Sequence, residues 1–207
     1  MKLIEIVKIL KNKLVGSKVN QQRINEIESN TIALKEARKS DVNRWQKNEE
    51  LFTNWNERTA IMADFIPSDA NVIEFGAGVM HMKSILPKTV TYTPSDIVKR
   101  YEETVVCDLN EPITVNLKQF DTAVFSGVLE YVYNIENVID QLSNASINHI
   151  ICSYCCSDII TLSREKNGWL SDYTKSELEA IFSGFGYTVK NYQLWNNQSI
   201  FNLVREQ

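Results

Sequence analysis

The chain has 207 residues, 43% of them hydrophobic and 10% aromatic, enough to bury a sizeable core in one globular domain with a small appendage. Its formal net charge of −4 supplies no global basic field, which disfavours an RNA or DNA substrate. No stretch reaches the roughly 18 uninterrupted apolar residues of a membrane span.

The opening run, "MKLIEIVKILKNKLVGS", is interrupted by Glu5, Lys8, Lys11 and Lys13, so it lacks the continuous apolar segment of a signal peptide. An intracellular, cytoplasmic protein is expected. Leu3, Ile6, Val7, Leu10 and Leu14 recur at helical spacing opposite a lysine face. Such a face must meet the domain, a second subunit or a membrane surface. Packing on protein, including a homodimer through these helices, is favoured over peripheral membrane contact. A second, polar helix is predicted from Lys18 to Lys39, with Ile24, Ile27 and Leu34 as its apolar stripe. Ser40-Asp41 offers an N-cap for a third helix carrying Val42, Trp45, Phe52 and Met62. Pro67-Ser68-Asp69 ends it. Residues 1–66 thus form a helical extension, read as a lid or oligomerisation element, and residues 67–207 form the main domain.

From Asn71 the pattern alternates between strand and helix. Strands are predicted at Asn71–Phe75, Thr89–Ser95, Glu103–Cys107, Thr122–Ser126 and His149–Ser153, with helices including Met82–Leu86 and Ile135–Ser143. Alternation with short connections implies an α/β fold, a parallel sheet wrapped by helices. The tail, "GYTVKNYQLWNNQSIFNLVRE", reads instead as a hairpin around Trp195-Asn196-Asn197-Gln198, and hence as an antiparallel edge.

The stretch "NVIEFGAGVMHM" places a glycine-rich turn after the first strand. A dinucleotide motif, G-x-G-x-x-G, would need a third glycine where His81 stands. Glu74, two residues before Gly76, would repel a pyrophosphate but suits a cationic ligand. Asp96 ends the second strand, placed to accept from both ribose hydroxyls, and Asp108 ends the third, placed to accept from an adenine amine or to cap the turn at Asn110-Glu111-Pro112. A fourth strand ends in the small turn Ser126-Gly127. These groups would meet at the carboxyl ends of adjacent strands, where open α/β sheets bind ligands. No Walker lysine or basic phosphate clamp accompanies them, so the implied ligand carries adenosine and a positive charge but no phosphate. S-adenosyl-L-methionine fits; NAD and ATP do not.

From about Arg58 to Arg205 the chain resembles the class I S-adenosylmethionine-dependent methyltransferases of the small-molecule type. "VIEFGAG", "YTPSDIV", "VVCDLNE" and "FDTAVFSGVLEYV" are similar to four of that family's motifs, and "YTKSELEAIFSGFGYTV…FNLV" to its last helix and hairpin. The resemblance implies a Rossmann-like, doubly wound, seven-stranded sheet with an antiparallel last strand. It also implies that Glu74, Gly76, Ala77 and Gly78 face the methionine part of the cofactor, Asp96 and Ile97 the ribose, and Asp108 and Leu109 the adenine, with Ser126 and Gly127 closing the site. Met80 replaces the family's third glycine, and Leu129-Glu130-Tyr131 stands where many members carry Leu-Glu-His, which removes a histidine base or metal contact at that point.

Methyl transfer from a sulfonium needs mostly alignment, while a hydroxyl acceptor also benefits from a base. His81, Tyr131 and Tyr154 are the candidates near the strand ends, against a packing role for each; His149 is read as structural. Trp169 suits either an acceptor pocket or the core, and Trp45, Trp55 and Arg58 could close over the cofactor or brace their helix. Cys152-x-x-Cys155 has no second ligand pair, so Cys107, Cys152, Cys155 and Cys156 are read as reduced residues on or beside a buried strand, and no metal site is expected. Absence of the Asn- or Asp-Pro-Pro-aromatic motif argues against nucleic-acid base methylation. The expected function is methylation of a small-molecule acceptor, at oxygen rather than nitrogen. A sugar in surface-polysaccharide assembly is suggested by the likeness of "FGAGVM" and "FSGVLEYV" to such bacterial enzymes. The rival is a non-catalytic binding or scaffold subunit of the same fold.

Overall fold

A computed structural model describes the backbone of residues 3–206 and the side chains of residues 20–206. It begins with one continuous helix, α1 (Leu3–Ala37), where two were expected. A lone Gly16 costs only about 1 kcal/mol in a helix, and no proline or cap accompanies it to force a break. The apolar face from Leu3 to Leu14 lies outside the described side chains. Helix α1 ends at Arg38, whose φ is 54°.

The expected third helix is broken. Asp41 caps a single turn, α2 (Val42–Trp45), by accepting from the Arg44 N–H at 3.1 Å. Two 3₁₀ turns follow, Asn48–Glu50 and Thr53–Trp55, before α3 (Asn56–Ala63). Five consecutive polar residues, Gln46 to Glu50, give a helix nothing to bury, and the neighbouring aromatic residues turn toward a cleft instead.

Seven strands form one sheet: β1 (Asn71–Phe75), β2 (Thr91–Asp96), β3 (Val105–Val106), β4 (Thr122–Phe125), β5 (His149–Tyr154), β6 (Tyr187–Trp195) and β7 (Gln198–Arg205). Their order is β3-β2-β1-β4-β5-β7-β6. The first five pair in parallel, and β7 runs antiparallel to both β5 and β6, as the hairpin pattern implies. Strand β3, at the sheet edge beside β2, is only two residues long, shorter than expected. The remaining helices are α4 (His81–Ile85), α5 (Ile135–Asn144), α6 (Arg164–Asn167) and α7 (Lys175–Gly184).

The two-residue period of the strands separates two cores. Ile73, Phe75, Ala123, Phe125, Ile150 and Cys152 face one way, toward Ile135, Val138, Ile139 and Leu142 of α5 and Leu178 and Phe182 of α7. Phe75 and Phe125 stack there at 5.0 Å. Val72, Val124, Ile151 and Ile200 face the other way, onto Met62 of α3 and Met82 of α4. All four cysteines are free and buried. The strand order reverses between β1 and β4, and at such a switch point the two carboxyl ends diverge and leave a crevice.

The hairpin tip reaches that crevice. Asn196 and Asn197 both take left-handed backbone, φ 43° and 64°, as a two-residue hairpin turn requires, and thereby place Gln198. Replacing Asn197 with valine should lower stability by about 1–2 kcal/mol relative to the glycine variant, because a β-branched side chain resists positive φ. Equal urea midpoints for the two variants would show that the turn does not set the hairpin.

Candidate active site

A cleft of about 220 Å³ opens at the carboxyl ends of β1, β2 and β4. All ten residues expected around the cofactor line it: Glu74, Gly76, Ala77, Gly78, Asp96, Ile97, Asp108, Leu109, Ser126 and Gly127. The loop after β1 is shaped by backbone. Gly76 has φ 71°, and a Cβ there would stand 2.2 Å from Val128 Cγ2. The Ala77 N–H donates to the Ser95 carbonyl, and the Gly78 N–H to Asp96 Oδ2 at 2.8 Å. Asp96 Oδ1 accepts from the Val98 N–H at 3.0 Å, so this carboxylate joins the two loops while each oxygen keeps a further lone pair. Met80, at φ 56°, holds the left-handed conformation natural to the glycine it replaces.

Asp108 Oδ1 accepts from the Ser40 hydroxyl at 2.7 Å and from the Asn110 N–H at 3.0 Å. The turn-capping contact is therefore present, and a residue from the N-terminal segment reaches the same carboxylate. Further side chains from that segment complete the wall: Trp45, Leu51, Phe52 and Trp55 line the cleft. Arg100 holds the segment down by donating to the Trp45 carbonyl and, at 3.0 Å, to Asn48 Oδ1.

Two ionisable side chains are buried beneath the loop. Glu74 is 3% exposed and accepts from the Tyr92 hydroxyl. Burial pushes its carboxyl up to about 8, against the opposing pull of the Tyr92 hydrogen bond and the Arg58 charge. Arg58 is 4% exposed and donates to the Ser126 carbonyl at 3.0 Å and to Gln198 Oε1 at 2.8 Å, both neutral acceptors. Its Nε has no partner among the described residues, and no carboxylate lies within ion-pair distance. Gly127, φ 68°, makes room for it, since a Cβ there would lie 2.4 Å from Arg58 Nη1. The sequence marks Arg58 only as one of three residues able to close over the site; its missing counter-ion is visible only in three dimensions.

The three candidate bases separate. His81 lines the cleft, half-buried, at the start of α4. Tyr131 also lines it, edge-on to Trp45 at 4.8 Å, but burial pushes its phenol up to about 12, so it is protonated at neutral pH. Tyr154 does not reach the cleft. It is fully buried on the α5–α7 side, where its hydroxyl meets Arg164 Nη2 at 2.8 Å, Ser171 Oγ at 3.1 Å and the Tyr173 N–H at 3.2 Å. Strand alternation explains this: Ser153 faces the cleft side and accepts from the Gly127 N–H at 2.8 Å, so its neighbour faces away. Trp169 is buried under the Arg164 guanidinium, 4.7 Å from the ring centre, and His149 sits at the opposite end of β5 against Asn202. Among the described residues no group of three or more His, Cys, Asp or Glu side chains is placed to hold a metal. None of their helices is long and apolar enough to cross a membrane.

A family model described as a methyltransferase domain matches residues 47–191. No curated protein sequence matches with significance. Among solved structures, the chain is similar to the 1,6-didemethyltoxoflavin N1-methyltransferase of Burkholderia thailandensis, with 15% identity and a TM-score of 0.57, covering 100% of this chain and 92% of that one. It is similar to the mitomycin 7-O-methyltransferase, with 10% identity and a TM-score of 0.62 over 90% of this chain and 68% of that one. An O-methyltransferase from neocarzinostatin biosynthesis, in complex with S-adenosylmethionine and 2-hydroxy-5-methyl naphthoic acid, matches at 14% identity and a TM-score of 0.56 over 74% of this chain. This chain spans only 56% of that longer protein. At these identities the likenesses establish the fold alone.

Burial of Glu74 makes stability depend on pH. Because its carboxyl is raised in the folded state from an ordinary 4.5 to about 8, folded protein binds the proton more tightly than unfolded protein. The stabilisation is complete below about pH 4.5 and is lost as pH rises toward 8. Between pH 6 and pH 8 the wild type should lose up to about 2 kcal/mol more than Glu74→Gln, taking about 1.4 kcal/mol per pH unit as the limit. Parallel profiles from urea denaturation of the two proteins would refute the assignment.

Proposed function

The chain belongs to the methyltransferase-domain family of class I S-adenosylmethionine-dependent enzymes, and we propose that it methylates a hydroxyl of a small-molecule acceptor. One observation carries the cofactor assignment beyond family membership: the cleft joins a buried guanidinium lacking a counter-ion to a buried carboxyl, Glu74, and two further acids. A nucleotide's phosphates would be repelled by Asp96 and Asp108. A ligand bearing both a carboxylate and cationic centres matches the site, the carboxylate at Arg58 and a cation beside Glu74, whose raised carboxyl ionises more readily when a positive charge approaches. Asp96 retains lone pairs for two ribose hydroxyls, and Asp108 Oδ2 faces no competing partner among the described residues.

When bound, S-adenosylmethionine supplies an activated sulfonium methyl. The protein then has to hold an acceptor oxygen in line with it and exclude water, so alignment supplies much of the rate. Trp45, Leu51, Phe52, Trp55, Val128 and Leu170, with the Tyr131 ring edge-on to Trp45, give an apolar lining that does both. They favour an acceptor with a flat or apolar face over the polyhydroxylated sugar suggested by the motif likeness. The hydroxyl proton released on transfer goes to His81 or to solvent, since Tyr131 is already protonated and Tyr154 is out of reach. Tyr131 can still orient the acceptor by hydrogen bonding.

Calorimetry with S-adenosylmethionine tests this directly. Wild type should bind, and Asp96→Ala should lose about 2–4 kcal/mol, two charge-assisted hydrogen bonds partly replaced by water. Failure of the wild type to bind sinks the reading. Binding without S-adenosylhomocysteine formation across a panel of phenols, alcohols and sugars would instead favour the non-catalytic scaffold.

A further inference from the structure

We propose that Ser40 and Asn110 are positioning residues that fix Asp108 so that the cleft selects a purine donating a hydrogen bond from its 6-position. This rests on the S-adenosylmethionine reading above and explains why residues outside the sheet reach the cofactor floor.

The argument follows the direction of each proton. The Tyr133 N–H donates to Asn110 Oδ1 at 2.8 Å, which fixes the orientation of the carboxamide. Asn110 Nδ2 must then point the other way, and it donates to the Tyr131 carbonyl at 2.9 Å and to Ser40 Oγ at 2.8 Å. Both donors and one of the two acceptor positions of this side chain are in use, which fixes its orientation. A hydroxyl that accepts from Asn110 has its own proton to give, and Ser40 gives it to Asp108 Oδ1 at 2.7 Å. The backbone N–H of Asn110 seals the same oxygen at 3.0 Å. Both donors that reach Asp108 Oδ1, the Ser40 hydroxyl and the Asn110 backbone N–H, give a proton to it, and neither receives one back.

Two consequences follow for a ligand. Asp108 lines the cleft with both of its partners on Oδ1, which leaves Oδ2, among the described residues, for a ligand; a carboxylate oxygen can only accept. Asp108 is also held in place from two sides: by its own loop and by a residue 68 positions earlier in the chain. A 6-amino purine meets it with a donor. A 6-oxo purine meets it with an acceptor, and a fixed carboxylate cannot swing to the neighbouring ring N–H to recover the contact. Rigidity, rather than charge alone, therefore provides the discrimination. Tyr131 and Tyr133 enter the same network through their backbones, so the adenine end of the cleft and its acceptor wall share one framework. The Tyr133 hydroxyl also shares its one proton between the carbonyls of Leu34, at 2.7 Å, and Lys39, at 3.0 Å, which anchors the chain immediately before Ser40.

The test is the ratio of affinities for S-adenosylhomocysteine and S-inosylhomocysteine, measured by calorimetry on the full chain. Wild type should prefer the adenosine compound by at least about a hundredfold, the discrimination seen when a buried polar group loses its partner. Ser40→Ala should narrow the ratio about tenfold, and Ser40→Thr, which keeps the hydroxyl, should restore it. A merely structural Ser40 would weaken both ligands equally; an unchanged ratio in Ser40→Ala overturns the proposal even where both affinities fall. A wild type without preference overturns it as well. A wild type that binds neither compound refutes the cofactor reading itself, and the positioning role with it.

Discussion

Burial of the Arg58 guanidinium against neutral acceptors is the constraint around which the cleft is arranged. Through the Ser126 carbonyl and Gln198 it joins α3, the turn after β4 and the tip of the β6–β7 hairpin, three elements far apart in sequence. Gly127 lacks a side chain at the place where the guanidinium passes. Two buried carboxyls, Glu74 and Glu130, lie within electrostatic reach without pairing, and both are raised by their own burial despite that cation. Glu130 spends one oxygen on the Cys155 N–H, and its other oxygen has no partner among the described residues. An unpaired buried ion is costly, so the arrangement favours a ligand that brings the missing charge.

Much of this architecture could be read from the residues because it depends on local period. The run Val72-Ile73-Glu74-Phe75 is apolar on both faces except for one acid, which marks a central strand and also an acid that lines the cleft. Ile135, Val138, Ile139 and Leu142 recur at helical spacing and do face the sheet. The glycine pair, the acids at strand ends and the final hairpin are all set by the connection that follows each strand, and such signals survive in sequence. The TM-scores and the matched family agree with the fold those signals imply.

What could not be read depends on contacts between distant segments. The expected third helix contains a reasonable apolar spacing, yet its rings are needed above the cleft, and tertiary packing overrides propensity there. Ser40 and Asp41 looked like one capping unit; Asp41 caps α2, whereas Ser40 serves Asp108. Tyr154 stands one residue beyond the cleft-facing Ser153, and a one-residue difference along a strand moves a side chain to the opposite face. Asn110 is legible in the sequence only as part of the turn after Asp108, because nothing in its spacing shows that three segments converge on its side chain. Met80 shows a further limit of motif reading: its backbone keeps the left-handed form without glycine, at a cost on the order of 1 kcal/mol.

The four free thiols also make the molecule a recorder of its own opening. Cys107 lines the cleft, and burial raises its thiol to about 11, so it offers little thiolate while remaining at the cleft wall. Cys152, Cys155 and Cys156 lie at the other side of the switch point, inside or beside β5, and burial raises all three. Alkylating reagents attack thiolate and need access. Reaction at Cys107 would therefore follow local exposure of the cleft and respond to its occupancy, while the β5 group would wait for the sheet itself to separate. One reagent thus distinguishes breathing of the site from loss of the fold, with no label added to the chain.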